Sequence, residues 1–221
     1  MAAPPRTYTK LRASWVETLD RIEPSVIDLY HNRNLWRQMM PALTAREYSS
    51  SAFVDHYNHL YTTSAAMTVR RLARSGRNDK HSLGALLDKL TEHSDALSWG
   101  WFRERLSTWG DEDTAAERLV RRSFERWSNG ADTVDPALIA ANRAALTDAA
   151  AKVVAHADES IAHVGAGSQP NATYLDLDQA IDFVGDTFKR YYGLLNAASY
   201  QTLAPYISGD WAAPFRRPLF D

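Results

Sequence analysis

Between Leu177 and Leu195 the apolar positions run 177, 181, 184, 188, 191 and 195, with Phe188 and Tyr191 as the aromatic members. Steps of four and three return to one face of an α-helix, whereas a half-buried strand repeats every second residue. The same periodicity recurs along most of the chain, and convincing strand alternation does not. An all-α fold is therefore expected, and architectures built on a sheet are excluded.

The elements can be placed from their punctuation. A first helix is expected over 14–31, with a break or continuation at "HNRNLWRQMM". A long helix follows, with Phe53, Tyr57, Leu60 and Met67 on one side and Val54, Tyr61, Ala65, Val69 and Leu72 extending the apolar stripe. Gly76 is a plausible stop for it. Ser82 is an N-cap for a shorter helix through "SLGALLDKL". The tryptophan-rich segment "ALSWGWFRERLSTWG" has no clear assignment, and a further helix is expected over 112–128.

Asp135-Pro136 reads as a helix start, an acidic N-cap before a proline that misses no needed donor in the first turn. That helix should run to 163, with Ile139, Leu146, Ala150, Val153, Ala157, Ile161 and Val164 near one face. "GAGSQPNAT" is a loop, and the helix of the opening paragraph follows it. No repeat or low-complexity linker divides the chain. The expectation is one domain over 1–221, a helical bundle whose last two long helices form an antiparallel hairpin. Residues 1–13 should be a flexible N-terminus, and 200–221 an irregular packed tail rich in aromatics and proline.

The chain contains no cysteine, which excludes disulfides, cysteine nucleophiles and thiolate metal sites. That composition, with an N-terminus lacking the apolar core of a signal peptide, suits a cytoplasmic protein. No apolar run is long enough for a membrane span. A net charge of −2 gives no general attraction to nucleic acid, so any polyanion site must come from local clustering.

The densest chemistry lies in His156-Ala157-Asp158-Glu159-Ser160-Ile161-Ala162-His163. At about 100° per residue, His156, Glu159 and His163 share one flank of the apolar stripe, and Asp158 lies on the other. The plainest reading is a polar helix end, with histidines complementing the dipole and glycines capping it. A second is a metal site in which His156, Glu159 and His163 converge on a cation and Asp55, His56 and His59 in "VDHYNH" complete it, although the His-Glu-x-x-His signature is absent. A third is metal-free acid/base chemistry by a histidine that titrates near neutral pH, beside a cation that holds phosphate. Arg70, Arg71 and Arg74, with Arg77 and Lys80, supply one cationic cluster; Arg118, Arg121, Arg122 and Arg126 supply another. A solvated helix face is the ordinary explanation of both. Trp99, Trp101, Trp109, Trp127 and Trp211 could stack on bases, but residues of this kind more often fill a core or an interface.

Several segments resemble, in order, the HEPN superfamily and within it the abortive-infection-like HEPN proteins of bacteria. They are "LYHNRNLWRQMM", "VRRLARSGRNDKHSLGALLDKL", "HADESIAHVGAG", "YLDLDQAIDFVGDTFKRYYGLL" and "DWAAPFRRP", covering 25–218. The resemblance implies an all-helical domain that dimerises along its motif helices. It also implies, in active members, a metal-independent endoribonuclease acting as a toxin or phage-defence effector. The family motif is an arginine, a polar residue and, several positions on, a histidine. Arginine holds phosphate, and histidine handles the proton.

Carried onto this chain, His163 matches the motif histidine and Asp158 the polar position. Allowed spacings place the arginine at Asp158, Ala157 or His156, and the nearest upstream arginine is Arg143. The motif is therefore degenerate, and its cation must come from elsewhere, with a protonated His156 or Arg71 as candidates. The resulting expectation is a catalytic set of His163, Asp158 and His156, with RNA held by Arg70, Arg71 and Arg74. It carries no metal and no cofactor, and its partners are RNA, a second copy of the chain and an antitoxin or defence partner. The alternatives are a non-catalytic helical dimer that binds RNA, nucleotide or protein, and a metal-binding protein using His56, His59 and His163.

Overall fold

The computed structural model describes residues 5–44, 52–76, 80–107, 114–162 and 172–205. The fold is all-α. Among the described residues seven α-helices follow in order: α1 (Pro5–Thr44), α2 (Ala52–Ala73), α3 (Leu83–Glu92), α4 (Trp99–Ser107), α5 (Thr114–Ser128), α6 (Pro136–His156) and α7 (Tyr174–Asn196). Among the described residues there is no β-strand, only an isolated antiparallel bridge between Ser98 and Thr133. No described helix is long and apolar enough to cross a membrane.

The first helix departs most from expectation. It begins at Pro5 and spans 40 residues, so 5–13 belong to a helix and "HNRNLWRQMM" continues it without a break. Trp15, Leu19, Ile22, Val26, Leu29 and Arg33 are buried at steps of four and three, which keeps one face on the core throughout. Pro24 does not stop the helix. It lies on the exposed side, as does Asp20, whose carbonyl loses its donor.

Arg33 is the unusual member of that stripe. Its guanidinium lies over the Tyr30 ring and reaches Asp182 on α7 at 2.7 Å and the Asp178 carbonyl at 3.3 Å. Arg37 adds a 2.7 Å bond to the Asp178 carboxylate. A buried charge is tolerated only when paired and hydrogen-bonded, so these contacts fasten α1 along α7. Tyr30 also packs where Gly185 has no side chain; a Cβ there would overlap the Tyr30 ring. Nearby, Trp36 stacks between Tyr61 and Tyr174 at centroid distances of 4.9 and 5.1 Å, joining α1, α2 and α7.

The local start signals act as read. The Ser82 hydroxyl accepts from the Ala85 amide at 3.0 Å, and the Asp135 carboxylate from the Ala137 amide at 2.9 Å. Thr173 and Asp176 close a reciprocal capping box at the start of α7. Helices α6 and α7 run antiparallel, because Lys152 meets Asp176 while Asn142 meets both Arg190 and Tyr191.

Leu97 and Trp99 exchange backbone bonds with Val134 and Asp132, so α4 and α5 form an excursion closed at its base. Phe124 fills the space beneath Trp99 and Phe102. The tail is irregular over 197–205, where Tyr200 packs on Phe188 and Tyr192, and Leu203 is buried. Residues 206–221, which hold the remaining tail aromatics and prolines, lie outside the described residues.

Candidate functional site

Helix α6 keeps its α geometry to His156, and the chain then widens into a π-helical turn over Ala157–Ala162. Such turns are uncommon, and many accompany functional sites. Ala157 remains fully buried, in register with Ile139, Leu146, Ala150 and Val153, so the turn is anchored on the core side. Asp158, the next residue, faces α2.

There it meets two arginines. The Arg70 Nε donates to Asp158 Oδ1 at 2.6 Å, and the Arg74 Nη2 donates to Asp158 Oδ2. Arg70 lies in the last turn of α2 and Arg74 is the residue just past its end, its amide still bonded to the Arg70 carbonyl at 3.2 Å, so their guanidiniums reach the same carboxylate. All three side chains keep solvent contact: 27% exposure for Arg70, 40% for Arg74 and 26% for Asp158. One carboxylate thus accepts from two guanidiniums at a position open to solvent.

The end of α2 is itself held. The Ser82 hydroxyl that caps α3 also donates to the Arg74 carbonyl, and Gly84 lies against the carbonyls of Ala73 and Arg74. Arg71, expected beside the other two, turns to α1 instead and donates to Ser25 Oγ at 2.8 Å. Arg143, the nearest arginine upstream of His163, is committed to Asp88 at 3.0 Å, Ser75 and Thr147.

The structure thus joins Asp158 to Arg70 and Arg74 and leaves His156 apart. His156 precedes Asp158 by two residues and so lies on another side of the helix. Its Nδ1 is buried without a hydrogen-bond partner among the described residues. His163 lies outside the described residues. His56 and His59 are exposed on α2, and among the described residues no three His, Asp or Glu side chains converge as a metal site.

The tryptophans that are described do structural work. Trp101 is buried beneath Arg12 and Arg105, Trp99 packs on Phe124 under Arg121, and Trp127 meets the edge of Tyr191. Trp109 and Trp211 lie outside the described residues.

The pairing of Arg70 and Arg74 with Asp158 escaped the sequence reading. Two signals pointed toward it: the four-residue spacing of the arginines, and the position of Asp158 on the opposite flank from His156 and Glu159. The π turn had no such signal, because the apolar spacing through Ile161 and Val164 continues an ordinary α-helix. Comparison with protein-family models, curated proteins and solved structures returned no match.

Proposed function

We propose that the chain is a HEPN-like, RNA-directed protein: a metal-independent endoribonuclease that acts in phage defence or as a toxin. One observation carries the reading. Arg70 and Arg74 come from α2 to the helix end that holds His156 and continues in sequence to His163. RNA cleavage without a metal needs a cation on the phosphate and a group that takes the 2′-hydroxyl proton. Guanidinium suits the first task, because its planar N–H groups match phosphate oxygens. Histidine suits the second.

In this reading α2 supplies the cation that the degenerate motif lacks on α6. His163 takes the proton, the 2′-oxygen bonds to phosphorus, the bond to the 5′-oxygen breaks, and that oxygen takes a proton from water. Two copies pairing along α6 would place two such sets in one cleft.

The test is cleavage of mixed structured and single-stranded RNAs in the presence of EDTA. Wild type, His163→Ala and the double variant Arg70→Gln/Arg74→Gln are compared. Wild type is expected to cut, with His163→Ala slower by about 10²-fold or more. Absence of cleavage by folded wild-type protein sinks the enzyme.

A second reading is a non-catalytic dimer that binds RNA, nucleotide or a protein partner such as an antitoxin. The engagement of both arginines by Asp158, and the separation of His156 from them, favour it. It predicts RNA affinity that falls with salt and is indifferent to His163→Ala.

A further inference from the structure

We infer that Asp158 is a built-in substitute for the RNA phosphate, one that must leave Arg70 and Arg74 before RNA can bind. The inference rests on the reading of those arginines as the phosphate site, and adds how that site is held closed.

The chemistry of the pair motivates it. A carboxylate and a phosphodiester each carry one negative charge, and each offers two oxygens that share it. Asp158 presents one oxygen to Arg70 Nε and the other to Arg74 Nη2, the arrangement a bridging phosphodiester would adopt. The three groups are neither deeply buried nor free, so a ligand reaches them from solvent and finds them occupied. A phosphate that takes these same two N–H groups therefore displaces the carboxylate.

The backbone beneath Asp158 is suited to that exchange. The carboxylate is carried by the π turn over Ala157–Ala162, a geometry seldom sustained without a local reason. Ala157 is fixed in the core, while Glu159 is exposed. The exchange would release Asp158 by rearrangement within this turn, with Ala157 still held in the core.

The experiment measures binding of a short fluorescein-labelled single-stranded RNA, 2′-O-methylated so that it stays intact, by fluorescence anisotropy at fixed salt. Asp158→Asn keeps the size of the side chain and removes its charge. It is expected to tighten binding roughly three- to tenfold, the worth of one or two part-exposed ion pairs. Asp148→Asn, an equal charge change at an exposed position of α6, is expected to leave affinity within about twofold.

Unchanged or weaker binding by Asp158→Asn, while Arg70→Gln/Arg74→Gln also weakens it, overturns the inference and leaves the arginines as the phosphate site. Equal gains in both Asn variants overturn it as well, since net charge then explains them. If the arginine variants bind like wild type, the phosphate site itself is wrong. Should Asp158→Asn fold poorly, hydrogen exchange of wild type decides: RNA should alter exchange across 157–162 together with the end of α2. Protection at α2 with no change at 157–162 overturns the exchange of ligands.

Discussion

A single methyl group at Gly84 tests how tightly α3 sets the end of α2, and with it Arg74. A Cβ built at Gly84 lies 2.5 Å from the Ala73 carbonyl oxygen and 2.8 Å from that of Arg74. Both are backbone atoms, so no rotamer change relieves the overlap. Helix α3 would have to move, yet Leu83, Leu86 and Leu87 beside it are completely buried. Overpacking of this kind costs about 1–3 kcal/mol. Alanine recovers at most about 1 kcal/mol of helix propensity over glycine, and less near a helix start.

Gly84→Ala is therefore expected to destabilise the fold by about 1–2 kcal/mol. For a chain of this size that lowers Tm by roughly 2–8 °C, read by far-ultraviolet circular dichroism on heating. Gly100→Ala is the internal control, because a Cβ there meets nothing within 4 Å. It should hold or raise Tm. If Gly84→Ala leaves Tm unchanged or raises it, the close approach of α3 to α2 is wrong. Because Ser82 and Gly84 both meet the Arg74 carbonyl, the proposed RNA-binding role of Arg74 predicts that Gly84→Ala also weakens RNA affinity, read by fluorescence anisotropy.

Two further outcomes follow from the caps and the buried phenols. Thr173→Ala removes one half of the capping box on α7 and should cost about 1 kcal/mol, a Tm loss of about 2–4 °C. The Lys152 ammonium and the Thr173 hydroxyl and amide hold the Asp176 carboxyl well below the usual carboxylate range. Its contribution to the cap is present above the ordinary carboxylate pKa and is lost only as pH falls through that lowered value. At the other end of the scale, burial pushes the phenols of Tyr30 and Tyr191 up to about 12. The unfolded chain releases these protons near pH 10 while the folded chain keeps them, so stability falls as pH rises from about 10 through about 12. Tyrosinate absorbance should lag for these rings and rise with loss of helix. Complete titration near pH 10 in a fully helical protein would contradict their burial.

What the sequence determines by itself is local. Helix α7 is legible because Leu177, Ile181, Val184, Phe188, Tyr191 and Leu195 need only one another's spacing to define a buried face. Ser82 and Asp135 mark helix starts because a cap satisfies amides two or three residues away, without reference to the rest of the chain.

The length of α1 is different. Arg33 and the polar run around it look like a helix end until Asp178 and Asp182 of α7 are placed against them. The site belongs to the same class, since Arg70 and Arg74 precede Asp158 by 88 and 84 residues. No periodicity connects residues so distant, because a charged side chain finds its partner only after packing has brought two helices together. Apolar faces choose the helices and their buried sides; the crossing of α2 over the end of α6 then decides which charges meet. That crossing gave Arg70 and Arg74 to Asp158, sent Arg71 to Ser25, and left His156 on another side of the helix.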